Sequence, residues 1–180
     1  AELQYVQENY QNSINAFKSY LSYYPNGLFL LEAKYFLYKS YENIGQLENA
    51  IEVLSEVVND RENKYTTEGL IGLGRMSYEL EKYISAEKYF SQLLKIASII
   101  EHKKSAILGI LESKFHLYKY DDVITDISTM VEEGLFSGKE NVRIHYLKAF
   151  SLYKTNKINE SLIEFTWLIE NTEGELRAEA

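Results

Sequence analysis

Apolar positions recur along this chain at helical spacing, and the recurrence itself has a period. Tyr10, Ser13, Phe17 and Leu21 stand 3, 4 and 4 residues apart, which puts them on one face of a helix. A step of 37 gives Leu47, Ala50, Leu54 and Val58, and a step of 36 then gives Tyr83, Ala86, Phe90 and Leu94. Steps of 37 and 38 give Tyr120, Val123, Ile127 and Val131, then Ile158, Ser161, Phe165 and Ile169. Each set holds a bulky opener, a small or slim residue, a large apolar residue and an aliphatic one. Self-similarity at such a period predicts stacked supersecondary units, not a closed globule.

A second amphipathic phase runs between these sets. Its segments are EAKYFLYKSYENIGQ, EGLIGLGRMSYELEK, SAILGILESKFHLYK and RIHYLKAFSLYKTNK. Ala33, Gly69, Ala106 and Ile144 recur in them at intervals of 36, 37 and 38. The pattern predicts helix A, a short turn, helix B and a longer turn, repeated. Gly45 and Asn156 suit a left-handed cap between A and B, whereas Glu81 and Tyr118 hold the same place with poorer credentials. Pro25, Asn26 and Gly27 stop the first helix B. The units run over about 1–25, 26–62, 63–100, 101–136 and 137–172. Glu2 to Glu8 reads as the tail of a helix A, and 173–180 as the start of a further helix. The chain then holds about four and a half units of a longer solenoid.

The pattern resembles the tetratricopeptide repeat (TPR). The likeness is clearest at Ala33, Leu37, Tyr41, Gly45, Leu47, Ala50 and Leu54, and again at Leu73, Gly74, Tyr83, Ala86 and Phe90. It implies an all-α, right-handed superhelical solenoid of antiparallel helix pairs. Units of 36 to 38 residues require some longer turns or helices. Tyr38 and Leu111 stand where the repeat prefers a small residue, Lys114 where it has an aromatic, and Lys148 where it has an aliphatic. Ala16 to Ile51 is more narrowly similar to bacterial cell-envelope TPR proteins of the BamD-like and YbgF-like kind. That likeness implies a periplasmic or envelope scaffold, the alternative being a cytoplasmic one.

In such an array the A helices line a concave side, and their residues turned away from helix B face the groove. By register these are Tyr35, Lys39 and Asn43, then Ile71, Arg75 and Tyr78, then Leu108, Glu112, Phe115 and His116, and last Tyr146, Phe150 and Tyr153. Aromatic side chains with scattered cations suit a peptide or helix of a partner protein. The TPR clamp for a C-terminal carboxylate is not expected, because Tyr35, Phe36, Ile71 and Gly72 fill its places. A spacer arm of a larger envelope protein, with no groove ligand, is the competing reading.

Composition narrows the field. The net charge of −8 has the wrong sign for neutralising phosphates, so no nucleic-acid partner is expected. Apolar residues make up 46% of the chain, enough for a continuous core, and a single proline agrees with helices almost throughout. There is no cysteine, hence no disulfide or thiolate metal site. No apolar run approaches the ~20 residues that span a bilayer. His102, His116 and His145 have no partners at metal-ligand spacing, and IGLGR (71–75) sits inside a helix where its glycines serve packing. Asp121–Asp122 and Glu132–Glu133 read as helix-start charge and solvated face. Neither a cofactor nor catalysis is expected.

Overall fold

A computed structural model of the chain describes residues 1–59 and 62–172. Among these residues the structure is all-helical, with ten helices and no strand. They are α1 (Glu2–Val6), α2 (Tyr10–Tyr23), α3 (Leu30–Asn43), α4 (Leu47–Asn59), α5 (Thr66–Glu79), α6 (Tyr83–Ile96), α7 (Ile100–His116), α8 (Tyr120–Met130), α9 (Gly138–Lys154) and α10 (Ile158–Asn171). The extra length of the later repeats lies in α7 and α9, which have 17 residues where α3 and α5 have 14. The further helix expected over 173–180 lies outside the described residues. The chain divides into two compact units, residues 1–81 and residues 82 onward. In the first, each of α1 to α4 packs on its successor; in the second, each of α6 to α9 does so.

The turn from A to B is the same object each time. Glu8, Gly45, Glu81, Tyr118 and Asn156 all take left-handed backbone, with φ of 61°, 72°, 56°, 59° and 62°. The Gly45 amide donates to the Glu42 carbonyl at 3.0 Å, and the next amide, of Gln46, reaches back to Tyr41 at 2.9 Å. Tyr118 and Lys119 repeat this with Phe115 and Lys114, both at 3.0 Å. Asn156 and Lys157 repeat it with Tyr153 and Leu152, at 3.1 and 2.9 Å. This is the Schellman closure, which satisfies carbonyls that a helix end leaves bare.

Five residues after each left-handed residue comes the small or slim residue of the repeat. Ser13, Ala50, Ala86, Val123 and Ser161 are all buried, none more than 2% exposed. Their size lets helix B lie close to a neighbouring helix of its own unit. Ser13 Oγ sits 2.9 Å from Ser40 Oγ on the following helix, and Ser161 Oγ donates to the Ala149 carbonyl on the preceding one at 3.0 Å. The next core position is matched in size across the joint to the following helix A. Phe17 stacks on Phe36 with centroids 6.0 Å apart, whereas Leu54 and Phe90 meet Gly72 and Gly109. A Cβ on Gly109 would come within 2.3 Å of the Phe90 ring. Gly72 also leaves room for Tyr38, whose hydroxyl would lie 3.7 Å from a Cβ there. Tyr38 is thus 1% exposed in a place that the repeat usually gives to a small residue.

The other departures are met by charge. Lys114 bridges α7 to α8 through Asp126 at 2.6 Å, with little of either side chain exposed. Lys148 and His145 on α9 both reach Glu164 on α10, at 2.5 and 2.6 Å, and Trp167 stacks on His145 at 3.6 Å. Burial opposes the Glu164 charge, but the hydrogen bonds from His145 and Lys148 outweigh it and hold the carboxyl below its usual range.

These joints give four expected outcomes. Gly45→Ala costs about 1 kcal/mol, since its Cβ meets nothing and only left-handed strain is added. Gly109→Ala costs about 2 kcal/mol through overpacking against Phe90; urea midpoints separate the two. Glu164→Ala costs about 2 kcal/mol. Because the folded Glu164 pKa is depressed, its contribution is present above pH 4.5 and fades as pH falls through the folded value. Melting of the parent chain from pH 6 to about pH 3 should therefore lose more stability than melting of Glu164→Gln.

Candidate functional site

The residues expected to face the groove fall into two clusters, one in each compact unit. In the first unit, Tyr35 and Lys39 on α3 face Glu68 and Arg75 on α5. The Tyr35 ring stacks on Tyr65 with centroids 4.1 Å apart and meets Tyr38 edge-on at 5.2 Å. Burial, followed by a hydrogen bond to Glu68, pushes the Tyr35 phenol well above its ordinary range. Lys39 lies 3.5 Å from both Glu42 and Glu68, and 5.1 Å over the Tyr38 ring. Burial disfavours its charge, yet the carboxylates prevail and its pKa is raised. Arg75 pairs with Glu42 and lies 3.8 Å from Glu79. Asn43 donates to the Lys39 carbonyl at 2.8 Å, an internal bond on an exposed residue. Ile71 and Tyr78 are half-buried. Two cations thus meet three carboxylates, and each cation is already paired.

The second unit arranges the same helix positions differently. Tyr146, Phe150 and Tyr153 follow one another along α9, with centroids 6.0 and 6.3 Å apart. Phe115 on α7 fits against Phe150 at 5.6 Å, against Tyr146 at 6.4 Å, and against Tyr120 at 5.6 Å. Leu108 packs at the core margin. His116 is exposed and stacks on Tyr83 at 4.6 Å. Glu112 accepts from Arg143 Nε at 2.9 Å, and the guanidinium lies 5.3 Å over the Tyr146 ring. At the other end of α9, Lys154 sits 5.1 Å over Phe150 and 5.8 Å over Tyr153. Among the described residues no carboxylate pairs with Lys154. Tyr153 is 54% exposed, and Phe115, Tyr146 and Phe150 are half-buried.

Several residues of these clusters escape the register argument. Tyr65 lies before α5 and carries no signal along a helix, whereas Glu42 stands three residues after Lys39, a spacing that brings helix side chains together. Arg143 and Lys154 were legible in principle. They stand three residues before Tyr146 and four after Phe150, the spacings that bring helix side chains together.

The chain matches no family model, and it matches no curated protein. It does resemble solved structures. A crystal structure of MamA superposes with a TM-score of 0.69 at 16% identity, covering 94% of this chain and 86% of that one. YrrB, described as a TPR protein with an unusual peptide-binding site, gives 0.67 at 14% identity over 96% of this chain and 87% of that one. Nearly identical TPR-like repeats from Podosopora anserina give 0.64 at 13% identity, covering 99% of this chain and 93% of theirs. The fold is that of TPR-like helical-repeat solenoids. At these identities the likeness speaks for the fold alone.

The two clusters should respond differently to truncation. Tyr35→Phe keeps the stack on Tyr65 and loses the hydrogen bond to Glu68, for about 1 kcal/mol. Tyr35→Ala also loses the ring and costs about 3 kcal/mol. Tyr153→Ala, on a half-exposed ring, leaves the melting temperature within a degree or two, about 0.5 kcal/mol at most. Thermal melts followed by circular dichroism check all three.

Proposed function

We propose that this chain is a non-catalytic protein-interaction scaffold that takes a peptide or helix of another protein on the exposed faces of its A helices. The supporting observation is the aromatic strip of α9. Tyr146, Phe150 and Tyr153 carry large, rigid contact area, are only partly buried, and are flanked by cations. Aromatic groups that remain accessible on a rigid helix cost little entropy to engage and are typical binding anchors. YrrB, which shares the fold, has a peptide-binding site, and this favours the same use of the fold here. Among the described residues no helix is long and apolar enough to cross a membrane. The likeness of Ala16 to Ile51 to cell-envelope TPR proteins supports an envelope or periplasmic location, which fractionation of the producing cells would test.

Crosslinking pull-down with the parent chain and a Tyr78→Ala, Phe150→Ala double variant tests the scaffold reading. Recovery of bound partners should fall about tenfold or more in the variant, as for loss of a hot-spot contact. Unchanged recovery of every partner overturns the reading.

A further inference from the structure

We infer that the α7–α9 face of the second unit selects a peptide segment that carries apolar or aromatic anchors between two acidic residues. The inference rests on the scaffold reading and adds to it the chemistry of the partner.

In the first unit Lys39 and Arg75 are consumed by Glu42, Glu68 and Glu79. That cluster offers an incoming anion no vacant cation and an excess of carboxylate. On α9 the balance is reversed. Lys154 is exposed, rests on the Phe150 and Tyr153 rings, and has no ion pair among the described residues. Arg143 commits Nε to Glu112 and spreads its plane over Tyr146, and no second carboxylate pairs with it among the described residues. A guanidinium presents five donors, so one bond to Glu112 does not exhaust it. Both cations lie over aromatic rings, and a partner that covers those rings shields the pair formed with its carboxylate from water.

Their separation sets a register. Arg143 and Lys154 are 11 residues apart on one helix. Eleven residues are close to three full turns, so both point to the same face, about 16 Å apart along the axis. Tyr146 and Phe150 lie between them on that face. An extended partner strand spans the same distance in about five residues, and a helical one in about eleven. The segment recognised therefore has two acidic positions at one of these intervals, with apolar side chains between.

Selection of a display library of random 16-residue peptides against the chain tests this, with affinities of enriched peptides measured by fluorescence polarisation. Enriched peptides should carry Asp or Glu about five or eleven apart with aromatic or aliphatic residues between them. Lys154→Glu should weaken them roughly tenfold or more, and added salt should weaken binding to the parent chain. Phe150→Ala and Tyr153→Ala should weaken binding as well. If these two variants lose binding while Lys154→Glu and Arg143→Gln retain it, or if the enriched peptides are basic or uncharged, the acidic preference is wrong and the scaffold reading stands. If no peptide is enriched, or none of the four variants changes affinity, both fall. Melting curves of each variant confirm that lost binding is not lost folding.

Discussion

The left-handed residue between each helix A and helix B is the constraint on which the rest of this structure depends. Within each unit it reverses the chain within a few residues, and the amides of Asn9, Gln46, Lys119 and Lys157 that follow it close the preceding helix. The same residue that donates this closing bond offers its carbonyl to the start of helix B, at Ser13, Ala50, Val123 and Ser161. Turn and small residue are therefore one device. With no slack in the turn, helix B starts at a fixed point against helix A, and only a slim side chain fits where the two lie closest. Energy then comes from the larger residues farther along, such as fully buried Leu54, worth about 2 kcal/mol over its exposed state.

This explains why the period was readable from the sequence while the turn residues read weakly. A period survives because each unit must bury its apolar stripe against the next, and that stripe cannot drift without exposing it. The turn tolerates substitution more freely. Left-handed backbone costs a non-glycine residue about 1–2 kcal/mol, a penalty that the surrounding packing absorbs at Glu81 and Tyr118. Their place in the repeat identified them although their chemistry did not. Glu8 takes the same conformation and went unmarked, because its helix A is only five residues long and shows no stripe.

What sequence could not supply were contacts between residues far apart in the chain. Lys114 and Lys148 look like faults in the repeat until Asp126 and Glu164 are seen beside them. Tyr35 meets Tyr65 across 30 positions, and Arg75 meets Glu42 across 33. Helical spacing fixes the face on which a residue stands. It does not fix whether that face is met by a neighbouring helix, so it cannot separate a packing tyrosine from a displayed one. With 16 tyrosines in the chain, that distinction decides which part of the A-helix face is free to bind.

A chain of net charge −8 can still present cations locally. Net charge governs encounter with an extended polyanion, which sums the field of the whole protein. A short peptide samples a smaller region. At physiological salt, charges beyond about 8 Å are largely screened, so the distant carboxylates weigh little at the end of α9. What a ligand meets there is Lys154 over two aromatic rings. Pairing has consumed Lys39 and Arg75 and left Lys154 without an ion pair among the described residues, so the local ion pairs say more about the partner than the total charge does.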